Sequence, residues 1–101
     1  MHALNGYLEF PEDQREVTLA ALQEVCTLSR LDPGCVDYWW AEDVEQPNRF
    51  HFFKCRETLE TFEAHQAQPH DVAFMSDRVS QMVGFDAHIL GFAERRSVLG
   101  G

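Results

Sequence analysis

Residues 32–55, DPGCVDYWWAEDVEQPNRFHFFKC, carry two aromatic-rich runs on either side of an acidic stretch that contains Pro47. A pattern of this kind commits the chain to a β-hairpin. Aromatic and β-branched residues fit a pleated surface, and Glu45, Gln46, Pro47 and Asn48 supply the turn. The spacing predicts antiparallel strands over 35–42 and 48–56. In the second strand, Phe50 and Phe52 fall on one face and Phe53 and Cys55 on the other, because side chains alternate along a strand. Large apolar groups on both faces cannot be left to water without a penalty of about 25 cal/mol per Å². One face therefore needs helices and the other needs a further layer.

The rest of the chain supplies the helices. Residues 2–10, HALNGYLEF, alternate as a strand, with Leu4, Gly6, Leu8 and Phe10 on one face and Asn5, Tyr7 and Glu9 on the other. Pro11 ends that strand and opens a helix, and Glu12 and Asp13 suit its positive end. Val17, Ala21, Val25 and Leu28 recur at helical spacing, widened by Leu22 and Cys26. Asp32-Pro33-Gly34 then stops the helix and turns the chain. Thr58 is the expected N-cap of a second helix, buried through Leu59 and Phe62 and broken at Pro69. Val72, Met75, Val79 and Met82 predict a third helix that stops at Gly84. Residues 85–94 read as the last strand and 95–101 as a loose tail. The order β-α-β-β-α(α)-β is the split βαβ, ferredoxin-like arrangement, an α+β fold with four antiparallel strands and helices on one face. Its uncovered face predicts an obligate homodimer, formed by pairing through the sheet faces.

Composition bounds the function. A chain of 101 residues is expected to be one domain spanning 1–101, with 45% apolar and 12% aromatic residues as in a folded globular protein. A formal net charge of −9 disfavours a nucleic-acid or anionic-membrane partner, since phosphate binding needs a basic stripe. No apolar run approaches the roughly 20 residues of a membrane helix. The three cysteines form no CxxC pair and no secretory signal pattern opens the chain. Free thiols in the cytoplasm are the expectation. The five histidines and three cysteines show no chelating spacing, so no metal is expected. No phosphate-binding loop, HExxH or nucleophile elbow occurs.

The run SRLDPGCVDYWWAEDVEQPNRFHFF, followed by ETLETFEAHQAQPH, resembles the antibiotic biosynthesis monooxygenase domain. The shared features stand at Ser29-Arg30, Pro33-Gly34-Cys35, Tyr38, Gln46-Pro47-Asn48-Arg49-Phe50, Ala64-His65 and Pro69-His70, and the likeness runs over about residues 3–94. The resemblance implies a dimeric α/β barrel. It also implies one of several activities: cofactor-independent oxygenation of phenols or quinols, haem degradation, or isomerase-like chemistry. The family's usual Glu-x-Trp at the end of the second hairpin strand is replaced here by Lys54 and Arg56. Asn5 matches a first-strand asparagine of haem-degrading relatives. The helix that would supply their iron-ligating histidine reads DVAFMSDRVSQMV, without a histidine, which argues against haem.

Oxygenation without a cofactor needs a substrate that reduces oxygen once deprotonated, a dry cavity and a base. His65 is the candidate base, on the side of its helix shared with Phe62; the alternative is a core histidine satisfied by a carbonyl. Arg56 could orient an anionic substrate or simply pair with a carboxylate. Asn5 could bind a substrate oxygen or a neighbouring backbone group. Tyr38, Trp40 and Phe52 offer a wall for a flat ligand, with His70 and Met75 completing the lining, although aromatic stripes also serve as plain core. Trp39 is assigned to the dimer interface. The leading expectation is a cofactor-independent monooxygenase of a small phenolic or quinol-like compound. A dimeric protein that only binds a small aromatic ligand, or an isomerase of a small carbonyl compound, remain the alternatives.

Overall fold

The computed structural model describes residues 1–98. Strand β1 (His2–Glu9) leads through a 3-10 turn (Glu12–Gln14) into helix α1 (Arg15–Ser29). The hairpin follows as β2 (Cys35–Glu42) and β3 (Arg49–Arg56), then helices α2 (Leu59–Gln66) and α3 (Pro69–Asp77). A second 3-10 turn (Val79–Gln81) precedes β4 (Gly84–Gly91). The four strands form one antiparallel sheet in the order β2-β3-β1-β4, which is the ferredoxin-like topology expected from the element order.

Register separates the two faces. Leu4, Lys54 and Tyr38 are aligned across β1, β3 and β2, as are Leu8, Phe50 and Glu42, on the helix-covered side. There Leu8, Tyr38, Phe50 and Phe52 meet Leu22, Val25 and Cys26 of α1 and Phe74 of α3 in the core. Asn5, Phe53 and Trp39 are aligned on the opposite, open face, where Trp39 and Phe53 stack with ring centroids 6.1 Å apart.

Local chemistry fixes the turns. Gly34 adopts φ 76°, a left-handed conformation that glycine takes without a steric penalty, and its carbonyl accepts from the Glu57 amide at 3.0 Å. This bond ties the end of the α1–β2 turn to the end of β3. In the hairpin, the Asp43 carboxylate accepts from the amides of Glu45 and Gln46 at 2.7 and 2.9 Å, and Asn48 takes φ 65°. Thr58 caps α2 as expected, in a reciprocal box with Thr61 at N3.

Three helical expectations are corrected. Val17 is 60% exposed, and the buried stripe of α1 is instead Thr18, Leu22, Val25, Cys26 and Ser29. The helix can turn a threonine inward because Thr18 Oγ1 accepts from Arg78 Nη1 at 3.2 Å. On α2, Leu59 is exposed, and Phe62 and His65 form the buried side. Pro69 opens α3 at its first turn, and that helix ends at Asp77. Its buried residues are Asp71 and Phe74, while Val72 and Met75 are about half exposed. The last strand closes at Gly91, so residues 92–94 lie outside it.

Candidate functional site

Between the sheet and the two short helices lies a cavity of about 190 Å³, with Arg56, Lys54, His65, Asp71, Leu4 and Met75 in its wall. Beside it lies a second, apolar space of about 190 Å³ that shares Leu4, Lys54 and Met75 and is otherwise walled by Trp40, Phe52, Phe74 and Met82, among others. A polar space and an aromatic one thus adjoin at Lys54.

Each polar group is delivered by a different element. His65 sits in the last turn of α2, 4% exposed, and its Nδ1 lies 2.6 Å from Asp32 Oδ2. Asp32 belongs to the turn after α1, so the loop that stops the helix also grips the histidine. The other ring nitrogen, Nε2, has no hydrogen-bond partner among the described residues and stands 3.4 Å from Asp71 Oδ1 in the first turn of α3. A donated Nδ1–H to Asp32 leaves Nε2 as the acceptor facing the cavity, the arrangement a general base requires. His70 Nε2 lies 3.2 Å from the same Asp32 carboxylate.

Arg56 and Lys54 project from β3 on the same face as Tyr38. Arg56 is fully buried, its guanidinium 3.6 Å from Asp32 Oδ2 and 5.8 Å from the centre of the Tyr38 ring. Its three nitrogens have no hydrogen-bond acceptor among the described residues. Lys54 is 8% exposed, with its ammonium 5.2 Å, 5.4 Å and 5.6 Å from the ring centres of Phe52, Trp40 and Tyr38. Burial pushes its pKa down, against the opposing pull of Asp71. Burial acts in the other direction on Asp71, but the nearby His65 ring and the charge of Lys54 outweigh it and hold that carboxyl below its ordinary value. Burial pushes the Tyr38 phenol up to about 12, even though Trp40 Nε1 donates to its oxygen at 3.2 Å.

The structure gathers His65, Arg56, Met75, Phe52 and Trp40 around this space. Tyr38 lies beneath them, its ring edge-on to His65 with centroids 5.5 Å apart. His70 meets this cluster through Asp32. Asn5 is not part of the site: its register with Phe53 and His88 puts it on the open face. Two residues absent from the sequence expectation complete the cluster, Asp32 and Asp71. Each had an adequate local explanation, in a proline-glycine turn and in the first turn of a helix, so nothing in the one-dimensional pattern set them apart. Among the described residues, Asp32, His65 and His70 are those that could hold a metal ion, with ligand atoms within 4.8 Å of one another. An ion there would displace the His65–Asp32 hydrogen bond and stand beside the Arg56 guanidinium, which opposes it.

The model of the antibiotic biosynthesis monooxygenase family matches residues 1–77 of the sequence. The chain belongs to that family. Membership supports a monooxygenase-like role. Among solved structures, this family member is similar to a Nitrosomonas europaea protein provisionally named an antibiotic biosynthesis monooxygenase. That pair shares 19% identity over 93% of this chain and 100% of the other, with a TM-score of 0.85. A Deinococcus radiodurans protein of the same provisional name is 19% identical over 99% and 100% of the two chains, with a TM-score of 0.86. Rv0793 of Mycobacterium tuberculosis is 18% identical over 95% and 98%, with a TM-score of 0.84. Likeness at this identity concerns the fold. No curated protein matches the sequence.

Proposed function

We propose that this family member is a cofactor-independent monooxygenase of a small phenolic or quinol-like compound. The observation that carries the reading is His65: a buried imidazole oriented by Asp32 through Nδ1, with Nε2 unpartnered at the wall of a cavity that adjoins an aromatic space. A ring seated against Trp40 and Phe52 presents its hydroxyl to Nε2, which takes the proton. The cations of Arg56 and Lys54 stabilise the resulting phenolate. The electron-rich phenolate reduces dioxygen, and the two recombine at a ring carbon to give a peroxide. Its O–O bond breaks with loss of water, assisted by the proton held on His65. One oxygen atom stays in the product and the other leaves as water, so all four electrons come from the substrate.

Two copies pairing through the sheet complete this reading. Its support is the open face, where Trp39 is 37% and Leu90 43% exposed.

Oxygen uptake by metal-free protein against a panel of hydroquinones and polyphenols tests the chemistry. We expect uptake above autoxidation that His65→Gln abolishes. No uptake across the panel, or uptake indifferent to His65→Gln, overturns it. Product formed without oxygen would point to an isomerase, and saturable binding without turnover to a ligand carrier.

A further inference from the structure

We propose that the substrate of this site is an aromatic hydroxy acid, whose carboxylate is taken by Arg56 and Lys54 while its hydroxyl faces His65. The inference rests on the phenolic reading above and narrows it to a substrate class.

Arg56 is fully buried, and Nε, Nη1 and Nη2 all lack an acceptor among the described residues. Its nearest carboxylate oxygen, Asp32 Oδ2 at 3.6 Å, is beyond hydrogen-bond length and is already engaged by His65 and His70 at 2.6 and 3.2 Å. A buried guanidinium without acceptors is costly to maintain, so the occupant of the cavity has to supply them. Lys54 lies two residues away on the same strand face, about 7 Å along β3, and is also buried. Donors therefore outnumber acceptors in the polar space. The guanidinium fork matches two oxygens on one carbon, which a neutral phenol does not offer and a carboxylate does.

The acceptors that are present set the orientation. Asp71 Oδ1 and His65 Nε2 are unpartnered and can receive an O–H, while the Asp71 charge repels an anion. An acid is thus turned with its carboxylate toward Arg56 and Lys54 and its hydroxyl toward His65. The apolar space beyond Lys54 receives the ring, against Trp40 and Phe52. Since the chain carries a formal net charge of −9, it has no general attraction for anions, and any preference for an acid must arise locally. The residues that create it, Lys54 and Arg56, are the two that depart from the family's usual Glu-x-Trp.

The test is calorimetric titration of the protein with salicylate and with salicylamide at neutral pH, in nitrogen-saturated buffer. The two probes share ring and hydroxyl and differ in the charged carboxylate. We expect salicylate to bind about tenfold tighter or more, and Lys54→Met to bring the two within about threefold of each other. Equal affinities, tighter binding of the amide, or saturation by neither probe overturns the proposal. No oxygen is consumed in this assay. Acid selectivity combined with a failed oxygen-uptake panel would refute the oxygenase chemistry and leave this inference standing; the reverse pairing would do the opposite.

Discussion

Replacing Lys54 by methionine is expected to raise the melting temperature at neutral pH while removing the acid preference of the cavity. Methionine keeps the unbranched stem and its apolar contacts and discards the ammonium. That ammonium is 8% exposed and forms no ion pair within 4 Å of a described carboxylate, so it retains an effective desolvation penalty of several kcal/mol. The compensations are the ring faces of Phe52, Trp40 and Tyr38 at 5.2–5.6 Å, together worth about 2 kcal/mol, and the attraction of Asp71, which keeps His65 as a second partner. The balance favours methionine by about 1–2 kcal/mol, or roughly 4–16 °C for a domain of this size. The pH dependence supplies a sign that packing alone would not. Burial lowers the folded pKa of Lys54 below its ordinary value of 10.5, so the folded state binds fewer protons than the unfolded one and wild-type stability rises with pH. The penalty is present in full below the lowered folded value and gone above 10.5. Thermal melts of both proteins from neutral pH to about 11 should therefore converge. A variant that melts lower than wild type at neutral pH, or whose advantage is independent of pH, would refute the reasoning.

Other perturbations follow from single contacts. A Cβ at Gly6 would stand 2.0 Å from the Asp86 carbonyl oxygen, a backbone atom that cannot step aside, so Gly6→Ala should separate β1 from β4 and destabilise by about 3 kcal/mol or more, read by denaturant titration. Hydrogen bonds from His51 and from the Glu45 and Gln46 amides hold the Asp43 carboxyl down at about 2. Its contribution is present above the ordinary 3.8 and lost as pH falls from there to about 2, so the acid limb of stability in that window should flatten in Asp43→Asn. If two copies pair through the sheet, dilution monitored by sedimentation should lower thermal stability before monomer accumulates; a well-folded monomer at micromolar concentration would exclude an obligate dimer.

The strands were legible in the sequence because a period of two is local. Phe50 and Phe52 against Phe53 and Cys55 need only alternation to be sorted onto two faces, and the register bears out that sorting. The turn chemistry of Gly34 and the cap at Thr58 were equally readable, each depending on neighbours within a few residues. The face of α1 was not, because apolar spacing favoured Val17 while the fold buried Thr18, whose hydroxyl is satisfied by Arg78, distant in sequence by 60 residues. A helix has no local means of knowing that such a partner will arrive.

The same division runs through the candidate site. By itself the sequence identified His65, Arg56, Trp40 and Phe52 as residues of the right chemistry, and marked Lys54 and Arg56 as departures from the family pattern. Tertiary structure decided their surroundings. It brought Asp32 from one turn and Asp71 from another helix to the two nitrogens of His65, sealed Arg56 from water without an acceptor, and sent Asn5 to the opposite side of the sheet. Hydrophobic pattern is carried by neighbouring residues and survives in one dimension. Desolvation and charge pairing depend on what else converges on a point, so they exist only once the chain has folded.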